Sequence, residues 1–125
     1  MIHDQRILII DDNDLLRDLL EAVLEEEGAR VTTASDGVRG MQAFREFAPD
    51  LVVTDLIMPE KEGLETITEI RKISPDARII AMSGGSPQVD KEVLLQTAEL
   101  LGSARVLRKP FSNALFLETV RAALN

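Results

Sequence analysis

Leu51-Val52-Val53-Thr54-Asp55-Leu56-Ile57-Met58-Pro59-Glu60-Lys61-Glu62-Gly63 is the stretch whose reading decides the fold. Apolar and β-branched residues run directly into one carboxylate, and Pro59 and Gly63 then turn the chain away as a loop. Leu51 to Thr54 is expected to be a buried strand with Asp55 at its carboxyl end, the edge at which open parallel sheets bind ligands. Taken alone, an Asp at a strand end serves equally well as a cap or turn former. The rest of the chain decides between these readings.

Upstream, Ile7-Leu8-Ile9-Ile10 within Arg6 to Ile10 is unbroken apolar sequence, the pattern of a strand buried on both faces, and Asp11-Asp12-Asn13 stops it. From Asp14 onward Leu15, Leu16, Leu19, Leu20, Val23 and Leu24 recur at helical spacing opposite Arg17, Asp18, Glu21 and Glu25. Asn13 or Asp12 is the expected N-cap of this first helix and Gly28 its stop. Arg30 to Thr33 reads as a second strand, and Asp36-Gly37 opens a second helix with Val38, Met41, Phe44 and Phe47 inward, ending before Pro49.

Downstream, Leu64, Ile67, Ile70 and Ile73 predict a third helix over Leu64 to Ile73, closed by Ser74-Pro75-Asp76. Arg78 to Met82 is a fourth apolar strand and Ser83-Gly84-Gly85 a loop. Ser86-Pro87 starts a fourth helix carrying Val89, Val93, Leu94, Leu100 and Leu101, which Gly102-Ser103 breaks. Ala104 to Leu107 is a short fifth strand, Arg108-Lys109-Pro110 a turn, and Ser112 caps a fifth helix with Leu115, Phe116, Leu117, Val120 and Leu124.

Strands and helices alternating through five units predict an α/β fold: a doubly wound, five-stranded parallel sheet, because each crossover returns right-handed over the sheet. The loops after all the strands then lie at one end. Asp11, Asp12, Asp55, Ser83 and Lys109 are scattered in sequence but converge there.

A chain of 125 residues is long enough for one core and short for two domains, so one domain spanning residues 1–125 is expected. Its 14 basic and 22 acidic residues leave a net charge of −8, which repels nucleic-acid phosphates and anionic lipid, and there is no Lys/Arg cluster to override it. The absence of Cys rules out disulfides and thiolate metal sites. With no signal-peptide pattern and no run of membrane-spanning length, a cytoplasmic protein is expected.

Three carboxylates in one pocket repel one another unless a cation or an ammonium joins them. Oxygen donors without His or Cys suit a hard ion, and Mg²⁺ more than zinc. Lys109 adds a point charge for a phosphoryl group, Ser83 a hydroxyl, and Gly84 and Gly85 let backbone amides approach an anion. Together these describe a phosphoryl-transfer site with Asp55 as nucleophile. Each residue also has a structural reading. Asp11-Asp12 serves as a helix cap, Ser83-Gly84-Gly85 as a flexible turn and Lys109-Pro110 as a turn after an edge strand. The joint placement, each residue at the end of a different strand, favours the site.

At these residues the chain resembles the receiver domain of two-component response regulators over essentially its full length. The likeness rests on Asp11-Asp12, Asp55 with Met58-Pro59 and Gly63, Ser83, and Lys109-Pro110-Phe111. It implies a (βα)5 flavodoxin-like sheet of strand order 2-1-3-4-5. By the resemblance, Asp55 accepts a phosphoryl group from a histidine kinase or histidine phosphotransfer protein. Asp11, Asp12, Asp55 and the backbone carbonyl of Ile57 would hold Mg²⁺, with Mn²⁺ as a substitute. Lys109 would pair with the phosphoryl oxygens, Ser83 and Gly84 would form the switch, and Lys109-Pro110 would be a cis peptide. The output would be a changed surface on the fourth helix, fifth strand and fifth helix, offered to a downstream effector protein or to a second copy in a homodimer.

The match departs from the family pattern at Val106, where an aromatic residue usually sits, at Ile57, an apolar residue where hydrolytic water approaches, and in a longer Gly84 to Gly102 segment. The chain reads either as a single-domain regulator or as the receiver of a longer protein. The expected role is signalling, with self-phosphorylation and slow autodephosphorylation as its only catalysis. The alternatives are a small Mg²⁺-dependent aspartyl-phosphate phosphatase, which Ile57 in place of a general acid disfavours, and a non-phosphorylated interaction domain.

Overall fold

A computed structural model describes residues 2–56, 63–83 and 105–125. Five parallel strands form one sheet: β1 (Arg6–Ile10), β2 (Arg30–Ala34), β3 (Leu51–Asp55), β4 (Ile79–Ser83) and β5 (Arg105–Arg108), in the order β2-β1-β3-β4-β5. The doubly wound architecture and the strand order are those expected. The described helices are α1 (Asp14–Glu26), α2 (Gly37–Phe47), α3 (Gly63–Ile73) and α4 (Asn113–Leu124), the last being the fifth helix of the sequence reading. The helix expected after Ser86, the loop carrying Ile57, Met58 and Pro59, and Gly84 and Gly85 lie outside the described residues.

The continuous apolar strands are explained by helices on both faces of the sheet. Ile7, Ile9, Leu51, Val53, Ile80, Met82 and Leu107 pack with Leu20 and Leu24 of α1 and Phe116 and Val120 of α4. The alternate residues Leu8, Ile10, Val52, Ile79 and Ala81 pack with Met41 and Phe44 of α2 and Ile67 and Ile70 of α3. The capping residues act as their chemistry dictates. Asn13, Asp36 and Ser112 accept the N–H of Leu16, Arg39 and Leu115 at 3.1, 2.8 and 3.0 Å. Gly28, with φ +90°, stops α1 in a conformation that L-residues resist.

Expectations about five inward residues are corrected. Leu15 and Leu19 are exposed, Leu15 at 84%, because α1 turns Leu16, Leu20, Val23 and Leu24 to the sheet and the other two lie one residue, about 100°, further round. Val38 is exposed for the same reason beside the buried Gly37, Gly40, Met41 and Phe44. Ile73, the last residue of α3, and Leu115, in the first turn of α4, are half exposed at the ends of their helices. Strand ends also shift by a residue. Lys109 N–H donates to Ser83 O at 2.8 Å, so pairing continues to Ser83, which is the last strand residue and not part of a loop. Among the described residues, no helix is long and apolar enough to cross a membrane.

Candidate functional site

The carboxyl ends of β1, β3 and β5 bring Asp11, Asp55 and Lys109 together. Asp11 directly follows β1 and is fully buried, and each of its polar groups has a partner. Its N–H donates to Ala34 O at 3.1 Å, which prolongs the β1–β2 ladder. Its Oδ1 accepts the Asn13 N–H at 2.9 Å, its carbonyl accepts Arg17 Nη1 at 2.7 Å, and its Oδ2 accepts Lys109 Nζ at 2.8 Å. The same ammonium donates to Asp55 Oδ2 at 3.3 Å. A single charge thus bridges two buried carboxylates whose residues lie 44 positions apart (55 − 11).

Burial works against the charge on Lys109, but the Asp11 hydrogen bond and the negative charges of Asp55 and Asp11 outweigh it. The ammonium therefore titrates above the usual lysine range. Asp12 is exposed at the rim. Asp11, Asp12 and Asp55 each offer one carboxylate oxygen within 4.8 Å of the other two, an arrangement able to coordinate a metal ion. The donors are all hard oxygens with no imidazole or thiolate nearby, which fits a hard divalent cation of the Mg²⁺ type.

The backbone around Asp55 is tightly set. Thr54 Oγ1 donates to the Asp55 carbonyl at 3.0 Å, and Gly63 N–H donates to Leu56 O at 3.0 Å. A Cβ on Gly63 would fall on the Asp55 carbonyl oxygen and 2.5 Å from Leu56 Cα, so only glycine lets α3 start this close to the strand end. Lys109-Pro110 is a cis peptide, as the resemblance implied.

Ser83 sits on the neighbouring strand, one residue beyond Met82, the register partner of Asp55. It is fully buried, and its Oγ has no hydrogen-bond partner among the described residues. Val106 of β5 pairs with Ala81 of β4 and is half-buried against the α2–α3 side of the sheet. Ile57 and Gly84, both expected at the site, lie outside the described residues. Sequence reasoning missed the part that two residues play in supporting the site. Arg17 reads as part of the polar face of α1, and Gly63 reads as a turn former and as part of the family pattern, with no sign of its close packing on the Asp55 carbonyl. The sole signal for Arg17 was its position three residues after Asp14 and six after Asp11.

Comparison with known proteins agrees with this geometry. Residues 7–121 match the response regulator receiver domain. The chemotaxis protein CheY of Bacillus subtilis is 32% identical over 121 residues, covering 96% of this chain and 98% of that protein. The crystal structure of NtrX from Brucella abortus superposes with a TM-score of 0.88 at 28% identity, covering 97% of this chain. This chain spans only 27% of NtrX. The beryllofluoride-activated NtrC4 receiver domain dimer, solved in solution, superposes with a TM-score of 0.83 at 32% identity over 95% of each chain. The chain therefore belongs to the response regulator receiver domains of two-component signalling, which are phosphoacceptor modules and not classical enzymes.

Proposed function

We propose that residues 1–125 form one receiver domain in which Asp55 takes a phosphoryl group from the phosphohistidine of a histidine kinase or histidine phosphotransfer protein. The observation that carries this reading is the Lys109 ammonium seated between the Asp11 and Asp55 carboxylates, with Asp12 alongside. Transfer breaks the donor P–N bond and forms a P–O bond to an Asp55 oxygen, and the departing imidazole keeps the bonding pair and takes up a proton. Hydrolysis later forms a P–O bond to a water oxygen as the P–O bond to Asp55 breaks; the water gives up a proton to solvent, phosphate leaves and the carboxylate is restored.

Lys109, charged well beyond neutral pH, places a positive charge where the phosphoryl oxygens arrive. Asp11 is held by four partners and so keeps the ammonium aimed without reorganisation. A divalent cation, Mg²⁺ or Mn²⁺ in its place, would be held by Asp11, Asp12, Asp55 and the Ile57 carbonyl and would supply further charge neutralisation to the phosphoryl oxygens. The Ser83 hydroxyl, lacking a partner among the described residues, is suited to donate to the new phosphoryl group, and Gly84, next in sequence, would share in the switch.

One new charge-assisted hydrogen bond of about 1.5–3 kcal/mol is enough to shift two loop arrangements that differ by a few kcal/mol. Val106, in place of an aromatic residue, leaves the signal to this hydroxyl and the backbone. The output is read on β5, α4 and the helix expected after Ser86 by an effector protein or by a second copy, and the dimeric NtrC4 receiver supports the latter. The net charge of −8 disfavours nucleic acid and anionic membrane as direct partners, and a cytoplasmic setting suits a chain without cysteine.

The test is to incubate the protein with a small acyl phosphate and Mg²⁺ and to weigh it. A single base-labile phosphoryl adduct is expected, absent with chelator and absent in Asp55→Asn. Turnover without an adduct would indicate a phosphatase, and no reaction an interaction domain.

A further inference from the structure

We infer that Arg17 is a positioning residue for the acidic loop between β1 and α1, and that through the Asp11 carbonyl it sets the aim of Asp12. The inference rests on the reading that Asp11, Asp12 and Asp55 hold a divalent cation.

The Arg17 side chain is only 15% exposed although it belongs to the first turns of a surface helix. Its fork is divided. Nη2 donates to Asp14 Oδ1 at 2.7 Å, and Nη1 reaches back out of the helix to the Asp11 carbonyl, also at 2.7 Å. An ordinary helix-surface ion pair needs only the first of these contacts. The second spans the whole turn that carries the acidic pair.

Asp12 is the least constrained of the three carboxylates. It is exposed and has no hydrogen-bond or ion-pair partner among the described residues, whereas Asp11 and Asp55 share Lys109. What orients Asp12 is therefore its backbone. The Asp11 carbonyl and the Asp12 N–H lie in one rigid peptide plane, so a guanidinium fixing that oxygen fixes the plane from which the Asp12 side chain projects. The planar fork suits this task because it holds two acceptors at a set angle, which an ammonium cannot do.

Charge and positioning predict opposite signs. Arg17 is a cation near a cation site, so by Coulomb attraction and repulsion alone its removal tightens divalent binding. If it positions Asp12, its removal weakens binding. The experiment is calorimetric titration of the full chain with Mn²⁺, well below the unfolding temperature and with the fold checked by circular dichroism. Wild type is compared with Arg17→Met, Arg17→Lys and Arg121→Met; the last removes one positive charge from the Glu27 pair at the far end of α1.

Loss of a residue that orients ligands typically costs tenfold or more in metal affinity. About tenfold weaker binding is expected for Arg17→Met, a partial loss for Arg17→Lys, and wild-type affinity for Arg121→Met. Unchanged or tighter binding in Arg17→Met overturns the inference while the site reading stands, and so does full affinity in Arg17→Lys. If Arg17→Met does not fold, Arg17→Lys decides alone. No binding by wild type, or undiminished binding in Asp12→Asn, overturns the site reading and the inference with it.

Discussion

The ends of β1 and β4 lie at the same edge of the sheet and are built on opposite principles. At the β1 end, Asp11 is buried with every polar group engaged: backbone to Ala34 and Arg17, side chain to Asn13 and Lys109. At the β4 end, Ser83 is equally buried, its carbonyl bonded to the Lys109 N–H, but its hydroxyl has no partner among the described residues. A satisfied polar group resists movement, because leaving its place strands a donor or acceptor away from water. An unsatisfied one gains by moving. The contrast separates a rigid half of the site, which receives the chemistry, from a poised half, which responds to it.

The largest effect is expected from breaking the rigid half at its centre. Lys109→Met leaves the Asp11 and Asp55 carboxylates facing each other without the ammonium. Removing one partner of a buried ion pair costs on the order of 3 kcal/mol. Urea unfolding in the presence of chelator should show that loss, and Mg²⁺ should restore part of it if the carboxylates bind the ion. Because the folded-state pKa of Lys109 is raised, its contribution is complete below the ordinary lysine pKa of about 10.4 and fades as pH rises through the higher folded value. The stability gap between wild type and Lys109→Met is thus expected to be level through neutral pH and to narrow only in strongly alkaline buffer. A gap that closes between pH 6 and 8 would assign it to another group.

A smaller effect belongs to the seam between β3 and α3. Gly63→Ala puts a methyl group against the Asp55 carbonyl and the Leu56 backbone, where no flexible side-chain end can give way. Overpacking of this kind costs about 2 kcal/mol. Since the displaced atoms carry Asp55, the yield of phosphoryl adduct should fall along with the unfolding midpoint. A stable variant with full phosphorylation would show that the rigid half tolerates a shift at its centre.

How much of this was legible depended on whether the signal was local. The sheet was readable because Ile7 to Ile10, Leu51 to Val53 and Ile79 to Met82 are buried on both faces, which leaves continuous apolar runs in sequence. The site was readable because Asp11, Asp55 and Ser83 each end or follow one of these runs and Lys109 follows the short fifth strand. Helix rotation was less readable. In α1, leucine occupies positions 15, 16, 19 and 20, so composition alone does not say which pair faces the sheet, and packing against β1 and β2 chooses Leu16 and Leu20. The end of β4 moved to Ser83 because the Lys109 N–H continues the ladder, a bond between residues 26 positions apart (109 − 83). Arg17 read as solvated because nothing in a helical pattern marks a side chain that turns back to cap the preceding loop.

The smallest expected change tests the poised half and has the opposite sign. A buried hydroxyl without a partner costs about 1 kcal/mol or more relative to the same site filled by a methyl group. Ser83→Ala should therefore leave the unmodified protein more stable by about 1 kcal/mol, in contrast to the losses at Lys109 and Gly63. The gain should disappear once a phosphoryl group or beryllofluoride occupies Asp55, because the wild-type hydroxyl then acquires an acceptor that alanine lacks. Urea unfolding of both proteins, with and without beryllofluoride and Mg²⁺, reads the two signs directly. If Ser83→Ala is destabilised in the unmodified state, the hydroxyl already has a partner there, and the division into a rigid and a poised half fails.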